Sequence, residues 1–191
     1  FSALDSRKPE ELWRYADVNR AQGIDLALIP HNSNLSNGQQ FAMTGPDGTP
    51  MSREYAETKA RNEWLVEVTQ VKGSSETHPI LSPGDGFANF EIMEHFVGGQ
   101  KARPDGSYVR QALARGLEIR ERTGVNPYPF GLVGSTDFHS GTTATEEDNF
   151  TGALGDSDFP FGANVANVLT STNALTRQPV AVISAGGLTG V

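Results

Sequence analysis

The strongest constraint in this sequence is an order of segments. Short apolar runs of strand length alternate with helical stretches, and three of these runs lead into polar side chains able to bind metals or move protons. Pro9-Glu10-Glu11, after Asp5-Ser6, predicts a helix over 9–22 that Gly23 stops, with Leu12, Tyr15, Ala16 and Asn19 turned inward. Residues 24–29 (Ile-Asp-Leu-Ala-Leu-Ile) read as a buried strand ending at Pro30. Ser52 caps a second helix over 52–62, residues 64–71 form a second strand, and 87–96 read as helical. The clearest helix is 107–122, where Val109, Ala112, Leu113, Gly116 and Leu117 fall on one stripe and Gly124 closes the last turn. Residues 130–134 give a short third strand. A long polar loop over 140–161, a weak helix over 163–169 and a strand over 179–184 complete the pattern. This order predicts an α/β fold with parallel strands, either barrel or open sheet, in a single domain over 1–191.

Composition narrows the functional classes. The chain has 191 residues, and its 37% apolar content rises to about 48% with its 21 glycines, a globular value. With 15 Lys and Arg against 23 Asp and Glu, the net charge of −8 argues against charge-driven binding to nucleic acid or anionic lipid. Cysteine is absent, which excludes disulfides, thiolate metal sites and cysteine nucleophiles. No apolar run is long enough to cross a membrane as a helix. The start at Phe1 and the stop just after an apolar run suggest a fragment. No glycine-rich nucleotide cradle and no Gly-x-Ser-x-Gly elbow occurs.

The candidate chemistry follows from position. In parallel α/β folds the carboxyl ends of the strands share one face, where sites assemble. The first predicted strand runs into His31-Asn32-Ser33-Asn34. The second carries Glu67 between two valines and reaches Glu76-Thr77-His78 one loop later. The third runs into Asp137-Phe138-His139. Alternate residues on an extended segment point the same way, so Asp137 and His139 can grip one ion or two adjacent ions. A carboxylate such as Glu67 inside an apolar strand is costly unless paired, as a ligand, a base or a partner of an arginine. These residues point to a divalent metal held by His31, Asp137, His139 and Glu67. Imidazole and carboxylate donors suit Zn, Mn or Fe alike. Counting donors gives at most one well-held ion per chain, or an empty site with water. His95, beside Glu91 and Glu94, reads as a surface residue.

Three strings carry a resemblance. Ile29-Pro30-His31-Asn32-Ser33-Asn34-Leu35-Ser36-Asn37-Gly38, Glu67-Val68-Thr69-Gln70-Val71-Lys72-Gly73-Ser74-Ser75-Glu76-Thr77-His78-Pro79 and Gly134-Ser135-Thr136-Asp137-Phe138-His139 resemble an uncharacterised bacterial family of the PHP (polymerase and histidinol phosphatase) superfamily, as does Glu147-Asp148-Asn149-Phe150. The resemblance implies a distorted (β/α)7 barrel holding two or three divalent metals, and a phosphoesterase that uses a metal-activated water. By it, His31 matches a late metal-binding histidine, Asp137 and His139 the closing Asp-x-His, and Glu67 and His78 an intervening motif. No His-x-His occurs here. The expectation is therefore the C-terminal part of such a barrel, its first strands missing and its activity low in isolation. In this reading His78 protonates the leaving group, Glu67 is a ligand or base, and Asn32 and Lys72 contact a small phosphorylated substrate. Hydrolysis of an amide or another bond by the same metals, and an inactive metal-binding remnant, stay open as alternatives. An open barrel side also predicts a homo-oligomer whose partner covers it, against a monomer plugged by the 140–161 loop.

Overall fold

The computed structural model describes residues 1–70, 72–94 and 101–137. His95, His139, the predicted loop over 140–161, the helix over 163–169 and the strand over 179–184 lie outside the described residues. Within them, helices α1 (Pro9–Arg20), α2 (Arg53–Asn62) and α3 (Val109–Thr123) accompany strands β1 (Leu65–Gln70), β2 (Gly73–Ser74) and β3 (Gly131–Gly134). No helix among them is long and apolar enough to cross a membrane.

Local chemistry fixes the helix ends. The Ser52 hydroxyl accepts the Tyr55 N–H at 3.2 Å and caps α2. Gly124, at φ 82°, takes the left-handed turn that ends α3. Pro9 opens α1, with Glu10 and Glu11 in its first turn. The inward faces differ from the sequence reading. In α3 the buried positions are Val109, Ala112, Gly116 and Ile119, while Leu113 and Leu117 are exposed. On this face Gly116 lets Asn126 approach closely, where a Cβ would collide with the Asn126 side-chain oxygen. In α1 the buried residues are Trp13 and Ala16, whereas Tyr15 faces out.

The sheet has the order β2-β1-β3. β1 runs parallel to β3, pairing Leu65 with Gly131, and turns back antiparallel into the two-residue β2. Register slips between Glu67, opposite Val133, and Thr69, opposite Gly134, so Val68 is the extra residue of a bulge. One face of β1 sends Val66 into a core with Phe41, Met51, Ala56, Val109, Ala112, Ile119 and Tyr128. The Tyr128 hydroxyl donates to the Ala42 carbonyl at 2.5 Å, which satisfies its buried polar end.

Two predicted elements are corrected. Residues 24–29 form no strand; Ile24 and Ile29 are exposed, and just beyond them Glu67 N–H donates to the Pro30 carbonyl at 3.3 Å. Residues 87–91 form turns and 92–94 no regular element, with Phe87 and Phe90 exposed, in place of the predicted helix. Apolar composition alone misled in both places, since Ile24, Ile29, Phe87 and Phe90 are exposed and not packed against a partner surface.

Asp17 ties α1 to α2. Its carboxylate accepts from the Arg61 guanidinium at 2.7 Å, and Arg20 and Asn62 complete the cluster. The Arg61 hydrogen bond holds the Asp17 carboxyl below its ordinary value of 3.8, against an opposing effect of burial. A depressed carboxylate pKa contributes stability above the unfolded-state value, and that contribution is lost as pH falls through the folded-state value. Asp17→Asn is therefore expected to flatten the acid limb of the stability profile. Urea midpoints compared between about pH 5 and pH 2 measure this, and an unchanged slope would count against it.

Candidate functional site

The site lies beyond the carboxyl ends of the parallel pair β1 and β3, where three segments meet. Glu67 and Gln70 come from β1 and Lys72 from just after it. Asp137 follows β3, and His31 to Asn34 form the loop after Pro30. The loop turns at Asn32 (φ 54°, ψ 43°) into a short 3-10 turn, Ser33–Leu35. Asp137 also has a left-handed backbone, at φ 51°. Such backbone in residues with a side chain costs free energy and clusters at functional sites.

The contacts form one chain. His31 Nδ1 lies 3.0 Å from both oxygens of Glu67, whose side chain is nearly buried. The carboxylate only accepts, so the Nδ1 proton sits between them. Asn32 donates its side-chain N–H to His31 Nε2 at 2.8 Å and its backbone N–H to Glu67 at 3.4 Å. With the proton on Nδ1, the Nε2 lone pair of neutral His31 accepts the Asn32 side-chain N–H. On that side Asp137 Oδ2 stands 3.6 Å away. The Lys72 ammonium pairs with the same Asp137 oxygen and lies 3.4 Å from Gln70 Oε1. The Glu67 hydrogen bond raises the His31 pKa above 6.5; burial opposes it, the charges of Glu67 and Asp137 add to it, and Lys72 works against it.

Five of the sequence candidates thus come together: His31, Asn32, Glu67, Lys72 and Asp137. His139 lies outside the described residues. His78 sits apart from these contacts. It is buried, its Nδ1 accepts the Ile80 N–H at 3.2 Å, its Nε2 faces Glu94 at 3.0 Å, and its ring packs against Tyr108. Among the described residues no group of three or more His, Asp or Glu is gathered as metal ligands. The reason is visible in the geometry: Glu67 occupies the Nδ1 edge of His31 and Asp137 the Nε2 edge, so the three do not face one point.

Two positioning residues escaped the sequence reading. Gln70, fully buried, donates to Asn32 Oδ1 and accepts the Lys72 backbone N–H at 2.9 Å, holding both sides of the site. Asn34, also buried, donates to the Lys72 carbonyl at 3.1 Å and accepts the Ser75 hydroxyl at 3.0 Å, clamping the His31 loop to the β1–β2 turn. The bulge at Val68 lets Glu67 and Gln70 both reach Asn32, and nothing in the sequence announces a bulge.

No curated protein and no solved structure matches the chain. A family model described as "Protein of unknown function (DUF3604)" matches residues 1–191, and the chain belongs to that family.

Proposed function

We propose that this protein is a metal-dependent hydrolase of phosphate esters, of the PHP type. The observation that carries the reading is the meeting of His31 Nε2, Asp137 and Lys72 beyond the carboxyl ends of the parallel pair. Two donors on one tetrahedral ion, with bonds of about 2.0–2.2 Å, stand about 3.4 Å apart. The 3.6 Å between His31 Nε2 and Asp137 Oδ2 is close to that edge. The donor set therefore fits a divalent ion of the Zn, Mn or Fe kind, held by His31 and Asp137, with His139 as the expected further ligand. Such an ion neutralises charge on ester oxygens and acidifies a water for attack.

The residues of the chain divide the remaining work. Glu67 holds the proton on His31 Nδ1 and fixes the ring, as carboxylates commonly do behind a ligand histidine. That makes it a positioning residue in this reading, outside the direct ligand set. The Lys72 ammonium, and the Asn32 amide once an ion takes its place on His31 Nε2, supply the donors that an anionic ester requires, which favours phosphate esters over neutral amides. His78 stands apart from these contacts, with Ile80 on its Nδ1 and Glu94 on its Nε2, and this reading gives it no role.

The test is a substrate panel of phosphate mono- and diesters beside amides, run with Zn, Mn and Fe in turn, with metal content by elemental analysis. Ester hydrolysis that needs the ion and stops in His31→Ala is expected. Retention of no metal, or cleavage of amides alone, would overturn the reading.

A further inference from the structure

One feature of the site has no part in holding an ion. The Lys72 ammonium already occupies the Asp137 oxygen that faces His31 Nε2. A cation bound between those two atoms and an ammonium on the same oxygen would stand within a few ångströms of each other, and like charges that close repel strongly in a partly buried setting. Both side chains are partly buried, Lys72 at 23% and Asp137 at 19% exposure, so water screens the repulsion only in part. The two cations are therefore alternatives on Asp137.

Resting on the hydrolase reading, we propose that Lys72 is a built-in counter-cation, exchanged for the divalent ion when it binds and freed to take up the anionic group of the substrate. Without an ion, Lys72 neutralises Asp137 and keeps its carboxylate and left-handed backbone in place. With an ion on Asp137 and His31, the ammonium leaves that oxygen. Gln70 guides the exchange, because its Oε1 anchors the Lys72 backbone N–H while lying near the ammonium at 3.4 Å. The base of the side chain thus stays fixed as its end moves. The loaded site gains two positive charges, an excess that an incoming phosphate ester balances. By linkage, inorganic phosphate and the divalent ion must then strengthen each other's binding.

Two measurements on the full chain test the exchange. The first is calorimetric titration of Zn into wild type and Lys72→Met, with and without inorganic phosphate. Loss of the competing ammonium is expected to tighten Zn binding about tenfold, the worth of a charge-assisted contact of this kind, and to abolish the enhancement by phosphate. The second reads Lys72 in wild type directly, as its acetylation rate by acetic anhydride followed by peptide mass spectrometry. The rate should rise severalfold when Zn is added. Equal or weaker Zn binding by Lys72→Met, or acetylation unchanged by bound Zn, overturns the exchange and leaves the hydrolase reading standing. Tighter binding without any ester hydrolysis supports the exchange and removes the hydrolase reading. Failure of both proteins to bind Zn removes both.

Discussion

Glu63→Ala is expected to lower the free energy of unfolding by about 3–5 kcal/mol, the cost typical of breaking a buried ion pair from one side. Glu63 follows α2 and is only 6% exposed. Its carboxylate accepts from Trp13 Nε1 at 2.9 Å, Gln40 Nε2 at 3.1 Å and Lys59 Nζ at 2.7 Å. The Lys59 ammonium is itself buried, 5.2 Å from the Trp13 ring centroid and 5.6 Å from that of Tyr128. Truncating Glu63 strands the buried Lys59 charge and Trp13 N–H, and takes the partner from part-buried Gln40. The aromatic faces recover only part of that loss, about 0.5–2 kcal/mol per cation–π contact. A double variant, Lys59→Met with Glu63→Gln, buries no charge and keeps an acceptor for Trp13, so most of the stability should return. Urea denaturation of the three proteins gives the answer. A loss below about 1 kcal/mol in Glu63→Ala would place this pair with exposed salt bridges and refute the argument.

That network also shows what a sequence withholds. Lys59 and Glu63 stand four apart on a helix, where a solvated i,i+4 pair is the ordinary expectation. Their burial comes from Trp13 and Tyr128, which are distant along the chain. The helix ends of α2 and α3 were legible for the opposite reason: Ser52 and Gly124 act within one turn of themselves. Residues 24–29 and 87–94 were misread because apolar composition states a preference for burial, while burial itself needs a partner surface.

The candidate site divides along the same line. His31, Glu67 and Asp137 could be singled out because a polar group at the end of an apolar run, or inside one, is conspicuous. Their arrangement could not. Placing Glu67 behind His31 needs the crossing of the 31–34 loop over β1, and recruiting Gln70 needs the bulge at Val68. His78 shares a motif string with Glu67, yet the turn through Gly73 and Ser74 carries it to Glu94 instead.

The relation between Glu67 and His31 sets the last expectation. Glu67→Gln removes the charge that raises the His31 pKa and replaces an acceptor-only group with one that can present its amide N–H to the ring. The proton is then no longer confined to Nδ1, and a fraction of the rings carry it on Nε2, the atom the reading assigns to the ion. Loss of such an outer carboxylate typically weakens metal binding by about 10–100-fold. The pH dependence should move the other way. Protons compete with an ion for neutral imidazole, so in wild type ion binding rises with pH through the elevated His31 pKa. In Glu67→Gln that pKa falls back toward 6.5, and the binding edge shifts to lower pH while the plateau above it drops. A lower plateau together with an edge at lower pH is the expected signature of this coupling between Glu67 and the ring. Zn titrations across the neutral range, with the His31 ring followed by NMR in the metal-free protein, read both quantities. An unchanged His31 titration in Glu67→Gln would show that the carboxylate does not govern the ring.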